Sequence, residues 1–219
     1  MVLNMVIVGV GGQGILSLAR MIGEAIIKSN ENSDINVSIA ETHGLSQRGG
    51  SVITHVRIGK GVIAPTIAKG DADIMLGLEL IESVRYIDYL KRGRSVAIVD
   101  DRIIRPSIPK IEVPRREDAL RIIGDTTFRF YLLKASEEAI KKGSPLSANM
   151  VFYGFITYML SSVGLINKSI ATDLAASIGR GRRISEINVE LYTSGYQLAS
   201  RLVDEEVLRL VKKSLKFKL

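Results

Sequence analysis

The sequence contains no cysteine and no tryptophan, and aromatic residues make up only 5% of its 219 positions. Without cysteine, the chain has no disulfide bond and offers no thiolate for an iron–sulfur cluster. His43 and His55 are its two histidines, so a conventional zinc site is not expected. No apolar run reaches the roughly 20 residues that span a bilayer. No charged start leads into a signal-like apolar segment either, so we expect a soluble, cytoplasmic protein with no membrane partner.

The charge balance is basic, with a net charge of +7. A basic surface can simply be solvated, or it can form a face for an acidic partner or a phosphorylated ligand. The basic stretches at 180–183 and 212–218 belong to no recognisable nucleic-acid-binding fold, so nucleic acid is not expected as a partner.

The stretch Met5-Val-Ile-Val-Gly-Val-Gly-Gly-Gln-Gly-Ile-Leu16 organises the chain. Its continuous apolar start is typical of a strand buried on both faces of a parallel sheet. An amphipathic helical pattern follows the glycines, so we predict a strand, a glycine turn and a helix. Backbone N–H groups at such a helix start favour an anion.

Apolar segments alternate with helical patterns along the next hundred residues, which predicts an α/β fold with a Rossmann-like, layered and mostly parallel sheet. We predict a β-hairpin intrusion in which Ser51–Ile58 turns through Gly59-Lys-Gly61 into Val62–Ala64. Ser136 is predicted to cap a short helix, and from Ser147 the pattern is helix upon helix. Asn167 is predicted to cap one of these helices, and a charged tail follows Leu202. Residues 1–146 are therefore predicted to form the α/β domain, and residues 147–219 a helical part packed on it.

Gly9, Gly11 and Gly14 have the G-x-G-x-x-G spacing of dinucleotide-binding turns. Glu41 ends the predicted second strand, where a ribose-binding carboxylate would lie. We expect the first two strands to be neighbours joined by a right-handed crossover. That arrangement would bring Gly11–Gly14 and Glu41–Gly50 onto one rim of the sheet.

The segment Glu41-Thr-His-Gly-Leu-Ser-Gln-Arg-Gly-Gly-Ser-Val52 does not continue like a nicotinamide-binding domain. Together with the glycine turn it resembles the gamma-type domain of the 2-oxoacid:ferredoxin oxidoreductases, and among these the small subunit of the indolepyruvate enzymes is most similar. The resemblance extends through Thr54–Arg57, Ala72–Leu76 and Ser147–Met150. Where the family has Phe-Pro, this chain has Arg180-Gly-Arg-Arg-Ile184, so the carry-over is weaker in the last third.

The resemblance implies an enzyme that decarboxylates a 2-oxoacid on thiamin diphosphate and passes electrons through [4Fe-4S] clusters to ferredoxin. The acyl group ends on coenzyme A. Thiamin diphosphate needs Mg²⁺ held by a Gly-Asp-Gly segment, but here Gly70-Asp71 is followed by Ala72. We therefore expect the thiamin, Mg²⁺ and clusters on a larger catalytic partner subunit, with no catalytic or metal-binding residue on this chain alone.

The candidate binding residues share the predicted rim, where they would receive an anion such as a coenzyme A phosphate or meet the partner's active site. They are Gly9, Gly11, Gly12, Gln13, Gly14, Glu41, His43, Ser46, Gln47, Arg48, Gly49 and Gly50. A structural alternative is a loop that caps its own backbone, with Arg48 paired to Glu41. Asn149 matches the family's Ala-Asn pair, and helix capping is its simplest role.

Three functions remain open from the sequence. The first is a subunit of indolepyruvate, or a related 2-oxoacid, ferredoxin oxidoreductase that completes the site without carrying cofactors. The second is an NAD(P)-binding oxidoreductase domain based on Gly9, Gly11, Gly14 and Glu41. The third is a stand-alone binding protein for an anionic metabolite.

Overall fold

The central strand of the fold is the apolar stretch at the start of the sequence. In the computed structural model, residues 2–43, 49–61, 64–105, 113–179 and 181–215 are described. Strand β1 (Val2–Val10) has Leu3, Met5 and Ile7 packed on one face and Val6 and Val8 on the other, all fully buried. It is apolar on both faces because helices cover both sides of the sheet, as the sequence predicted.

Six strands form one sheet in the order β2-β3-β1-β4-β5-β6. The other strands are β2 (Ile35–His43), β3 (Ser51–Lys60), β4 (Ile74–Gly77), β5 (Val96–Asp100) and β6 (Arg129–Leu133). The pairs β1–β4, β4–β5 and β5–β6 are parallel, whereas β3 is antiparallel to both β1 and β2. The α/β class and the mostly parallel sheet are confirmed.

The sheet order corrects two expectations. Strands β1 and β2 are not neighbours, because β3 lies between them. The antiparallel intrusion is present, but β3 pairs with the preceding β2 rather than with a strand at Val62–Ala64. Residues 62–63 lie outside the described residues, and Ala64 is not in a strand. The hydrophobic alternation of β3 was visible in the sequence, but its partner was not, since pairing depends on contacts across the sheet.

Eight helices surround the sheet in the described part of the chain. They are α1 (Ile15–Ser29), α2 (Leu80–Arg85), α3 (Arg116–Thr126), α4 (Ala135–Lys141), α5 (Ala148–Ser162), α6 (Lys168–Ser177), α7 (Arg182–Leu202) and α8 (Glu205–Leu215). Helices α1 and α4–α8 contribute to the core on one face of the sheet, and α2 and α3 to the core on the other. The division at residues 146/147 stays a prediction.

Helix α5 is buried almost all round because α7 crosses it at very short range. A Cβ on Gly154 of α5 would overlap the Tyr192 carbonyl oxygen, and one on Gly195 of α7 would overlap that of Val151. Glycines at both positions let the two backbones touch. The crossing holds the C-terminal helices against the sheet, and α5 in turn supports the glycine turn from behind.

The helix starts agree with the sequence predictions at Asn167 and differ from them at Ser136 and in residues 205–215. Asn167 caps α6 as predicted, because its Oδ1 accepts a hydrogen bond from the Ser169 N–H at 3.0 Å. Ser136, however, is inside α4 rather than at its N-cap. Here the cap comes from another element: Asp100 Oδ2 accepts from the Ser136 N–H at 3.1 Å. Residues 205–215, expected to be a charged tail, form the amphipathic helix α8.

Candidate functional site

The glycine turn connects the carboxyl end of β1 to α1. Gly14 is the N-cap of α1 and adopts a left-handed conformation with φ of 77°. Within the described part of the chain no side chain caps this helix, and its first turn has no acidic residue. The N–H groups of Ile15, Leu16 and Ser17 have no partner within the helix, and the helix dipole makes this end positive. The turn therefore presents backbone donors at the edge of the sheet.

A cleft of about 410 Å³ lies over this turn. Its lining combines the turn, the first turn of α1, the end of β2 and the start of β3. The lining residues are Gly11, Gly12, Gly14, Ile15, Leu16, Ser17, Glu41 and Val52. Gly12 is exposed, with φ of 105°, and no atom of the described residues is within 4 Å of where a Cβ would lie.

The glycine turn is joined directly to the loop that precedes β3. Gly11 donates its N–H to the Gly50 carbonyl oxygen at 2.8 Å, and its own carbonyl oxygen accepts from the Gly49 N–H at 3.2 Å. The predicted rim therefore exists for Gly11, Gly12, Gly14, Glu41, Gly49 and Gly50. It forms although β1 and β2 are not neighbours, because β2 runs parallel to β1 across β3.

The end of this loop is anchored by a polar group beneath it. The Ser51 hydroxyl contacts the Glu82 carboxylate and lies 2.8 Å from the Tyr86 hydroxyl. Glu82 is buried and also accepts from Arg85 Nε at 3.1 Å. These contacts fix Ser51, and through the backbone they fix Gly50 against the glycine turn.

Two of the predicted binding residues stabilise the turn itself. Gln13 Oε1 accepts from the Val10 N–H at 2.7 Å, and Gln13 Nε2 donates to the Leu78 carbonyl oxygen at 2.8 Å. Its amide thus joins the ends of β1 and β4. A Cβ on Gly9 would lie 2.6 Å from Gln13 Oε1 and 3.2 Å from Leu78 Cβ. Gly9 is required for this packing, and Gln13 has its amide committed to the backbone.

Gly14 has a second structural constraint, from Asn149. Asn149 is the second residue of α5 and is not its N-cap, so the capping role expected from the sequence is wrong. Its Nδ2 donates to the Gly14 carbonyl oxygen at 3.3 Å, and a Cβ on Gly14 would lie 2.5 Å from that nitrogen. Asn149 supports the candidate site from behind. The only sequence signal for this was its match to the family's Ala-Asn pair.

The four remaining predicted site residues carry side chains that the structure does not describe. His43 ends β2, but its side chain, like the whole of Ser46, Gln47 and Arg48, lies outside the described residues. Among the described lining residues Glu41 is the one charged side chain, and it is exposed. Favourable electrostatics for an anion therefore come, within this described part, from the start of α1.

The sheet order separates this site from a nicotinamide-binding one. In a Rossmann domain the strand that carries the ribose-binding carboxylate lies beside the first strand. Here the antiparallel β3 occupies that place, and Glu41 is one strand further out. This moves the carboxylate by about 4.8 Å, one strand spacing. The glycine spacing alone does not reveal this difference.

A second, smaller cavity of about 120 Å³ lies on the other side of Gly12. It is at the carboxyl ends of β1, β4 and β5, where the connections from β1 and β4 leave in opposite directions and ligands of open α/β sheets often bind. Arg102, Ser136 and Asp100 are among its lining residues, and Arg102 Nη1 donates to Ser136 Oγ at 3.2 Å. Burial raises the pKa of Asp100, although hydrogen bonds from Ser136 and Ala135 oppose the shift.

Glu79 is a further buried carboxyl group at this edge. It is 1% exposed, and its two oxygens accept from the Glu82 N–H at 2.6 Å and the Ile104 N–H at 2.9 Å. Burial raises the pKa of Glu79, and these backbone donors partly offset the effect. Both contacts join backbone segments, so Glu79 is a structural cap of α2 that also fixes the strand exit at Ile104.

Among the residues that the structure describes, no three histidine, aspartate or glutamate side chains are grouped as they would be around a metal ion. Over the same residues, no helix combines the length and apolar character needed to cross a membrane.

Comparison with known proteins gives consistent matches over most of the chain. Residues 4–198 match the family model described as pyruvate ferredoxin/flavodoxin oxidoreductase. A protein of Archaeoglobus fulgidus named indolepyruvate oxidoreductase subunit IorB is 41% identical over 156 residues, covering 70% of this chain and 75% of that protein. The protein of the same name from Methanothermobacter thermautotrophicus is 32% identical over 204 residues, covering 90% of this chain and 97% of that protein.

Solved structures share the fold at low sequence identity. The gamma subunit of a keto/oxoacid ferredoxin oxidoreductase from Geobacter sulfurreducens superimposes with a TM-score of 0.61 at 20% identity, covering 91% of this chain and 99% of that one. A 2-oxoglutarate:ferredoxin oxidoreductase from Magnetococcus marinus, solved with 2-oxoglutarate, coenzyme A and succinyl-CoA, gives 0.66 at 21% identity. That match covers 92% of this chain but 32% of the other.

Proposed function

Because the chain belongs to the pyruvate ferredoxin/flavodoxin oxidoreductase family, we propose that it is the small subunit of an indolepyruvate:ferredoxin oxidoreductase. The observation that carries this proposal is the relative that matches over 204 residues and nearly its full length, since it is named indolepyruvate oxidoreductase subunit IorB. In the proposed reaction a 2-oxoacid is oxidatively decarboxylated to an acyl-CoA. The cytoplasmic location expected from the sequence stays a prediction.

The cofactors of such an enzyme do not fit this chain. It has no cysteine to bind a cluster, and Gly70-Asp71-Ala72 departs from the segment that holds Mg²⁺ and thiamin diphosphate. In our proposal a larger partner subunit carries the thiamin diphosphate, Mg²⁺ and [4Fe-4S] clusters, with ferredoxin as the electron acceptor. This chain completes the site from one side.

We assign the cleft over the glycine turn to the phosphate-bearing part of coenzyme A. The N–H groups at the start of α1 face this cleft, and the helix dipole favours a negative group there. No described residue fills the space beside Gly12 on the same rim, so a bulky group can approach the backbone closely. Arg48, which follows Glu41 by seven residues, is proposed to add a positive charge. The Glu41 carboxylate repels phosphate, so the phosphates should lie on the α1 side of the cleft.

Reconstitution tests the assignment as a subunit. The full chain is co-expressed with a larger subunit that carries thiamin diphosphate and iron–sulfur clusters, and indolepyruvate-dependent reduction of ferredoxin is followed with and without coenzyme A. We expect one complex on size exclusion and activity only when both chains are present. Activity of either chain alone, or separate elution at low salt, would contradict the proposal.

The coenzyme A assignment has its own test in the assembled enzyme. Arg48→Ala should raise the KM for coenzyme A about tenfold if one charge-assisted contact is lost. Gly12→Ala should also raise it, because the added methyl group enters the cleft and because alanine is strained at a φ of 105°. Arg201→Ala, on the exposed surface of α7, is the matched control and should leave the KM unchanged. An unchanged KM in both cleft variants would remove coenzyme A from this site while leaving the subunit assignment intact.

The NAD(P)-binding alternative makes a different measurable prediction. If Gly9, Gly11, Gly14 and Glu41 bound a dinucleotide, NADH fluorescence would show saturable binding in the micromolar range. We expect no such binding, because Glu41 lies one strand beyond the position that contacts a ribose. Saturable NADH binding that Glu41→Ala abolishes would favour the alternative.

A further inference from the structure

A second large cleft lies at the opposite edge of the sheet from the glycine turn. It has a volume of about 550 Å³, within the usual range for small-molecule sites. Its lining residues come from the amino end of β1, the segments before β4 and β5, and the end of α8: Val2, Asp73, Lys91, Arg94, Leu210, Lys213 and Ser214. It is about 27 Å from the glycine turn, the length of the nine-residue β1.

A buried carboxylate organises the floor of this cleft. Asp73 is 5% exposed, and its Oδ1 accepts from Lys91 Nζ at 2.7 Å and from Ser214 Oγ at 2.8 Å, while Oδ2 accepts from the Asn4 N–H at 2.9 Å. These contacts hold Lys91 in one position, and its positive charge compensates the negative charge of Asp73. The ammonium group of Lys91 has three donors, so two remain for another partner.

The rim of the cleft carries positive charge that the described residues do not neutralise. Arg94 and Lys213 line the cleft, are exposed, and form no ion pair with any described residue. With Lys91 compensated by Asp73, the cleft has a net charge of about +2. Val2 and Leu210 add apolar surface to the same walls. Cations on one side and apolar surface on another suit a ligand with an anionic group attached to an organic body.

We propose that this amino-edge cleft binds a compact organic phosphate such as a nucleoside diphosphate. The phosphates contact Arg94, Lys213 and the free donors of Lys91, and the organic part lies against Val2 and Leu210. The concave shape favours a small molecule over the flat surface of an acidic protein. The inference does not depend on the proposed enzyme function, because none of these residues belongs to the glycine-turn site.

Isothermal titration of the full chain with ADP tests the proposal, with adenosine and inorganic pyrophosphate as separate probes. ADP should bind saturably, pyrophosphate more weakly, and adenosine not measurably. Arg94→Ala combined with Lys213→Ala should raise the dissociation constant for ADP by about tenfold or more, since two charge-assisted contacts are removed.

The sequence offers a matched control for net charge. Arg92 and Lys212 are exposed neighbours of Arg94 and Lys213 that do not line the cleft, so Arg92→Ala with Lys212→Ala removes the same charge from the same elements. This control, and Gly12→Ala at the other edge, should leave ADP affinity unchanged. Three outcomes would overturn the proposal: no saturable ADP binding, an equal loss in the Arg92/Lys212 control, or loss in Gly12→Ala instead.

Discussion

Gln13 and Leu78 are joined by a hydrogen bond in which Gln13 Nε2 donates to the Leu78 carbonyl oxygen at 2.8 Å. The same side chain accepts from the Val10 N–H, so one amide connects the ends of β1 and β4. The chain leaves β1 toward one face of the sheet and leaves β4 toward the other. The Gln13 side chain thus bridges the ends of these two strands, where their chains diverge.

Replacing Gln13 by methionine should destabilise the protein by about 2 kcal/mol, because it leaves the Val10 N–H and the Leu78 carbonyl oxygen without partners. Urea unfolding followed by circular dichroism measures the change. Gln197→Met, at an exposed position of α7, is the control and should change stability little. Equal stability of the Gln13 variant and wild type would show that water replaces the amide.

Adding a methyl group at the α5–α7 crossing should cost about 3 kcal/mol. Gly154→Ala places its Cβ against the Tyr192 carbonyl oxygen, a backbone atom that cannot turn aside as a flexible side chain can. A fall in thermal midpoint measured by calorimetry is expected.

Gly124→Ala in α3 provides the comparison. The nearest atom to its Cβ is Phe130 Cε1, at an ordinary 3.5 Å, so the change should stabilise the helix by up to about 1 kcal/mol. If Gly154→Ala were equally well tolerated, the helices would not be in backbone contact.

Two adjacent aspartates should give opposite pH dependences. Burial raises the pKa of Asp100 above 3.8, so the native state binds its proton more tightly than the unfolded state does. Its contribution to stability is present below pH 3.8 and is lost as the pH rises through the folded-state pKa. The stability of Asp100→Asn relative to wild type should therefore increase with pH across that window.

Asp101 has the opposite sign. A bidentate hydrogen bond from Arg116 lowers the pKa of Asp101 below 3.8, so its contribution is present above that value and is lost as the pH falls through the folded-state pKa. Asp101→Asn should lose stability relative to wild type as the pH rises from about 2 to 5. Urea unfolding at each pH measures both variants, and slopes of the same sign would contradict the assignment.

His55 should make the fold sensitive to mild acid. It is buried on β3, its Nδ1 accepts from the Ile67 N–H at 3.3 Å, and burial lowers its pKa below 6.5. The unfolded state therefore binds a proton more readily, and stability should fall as the pH drops below 6.5 toward the folded-state pKa.

The measurement is the free energy of unfolding of wild type and of His55→Gln between about pH 7.5 and pH 5. This range extends from about one unit above the ordinary histidine pKa to somewhat more than one unit below it. The difference between them should shrink as the pH falls. His43→Gln reports what the other histidine contributes. A constant difference over the range would show that His55 titrates normally.

The sequence alone was sufficient for the features that depend on local pattern. The apolar run of β1, the glycine turn and the amphipathic α1 were all predicted, because hydrophobic period and glycine content reflect the backbone of a few neighbouring residues. The Asn167 cap was likewise local. The family could be recognised from the sequence for a different reason, because each of its motifs is a continuous stretch of the chain.

Features that depend on contacts between distant residues were decided by the tertiary structure. β3 lies between β1 and β2 because its two faces fit both cores, and no local pattern specifies that partner. Gln13 faces Leu78 rather than a ligand, and Asn149 supports Gly14 rather than capping α5, since both bonds join residues far apart in sequence. The amino-edge cleft likewise combines β1 with α8, at opposite ends of the chain. A sequence determines which residues are available to a site, but only the folded chain brings the distant ones to within hydrogen-bonding distance.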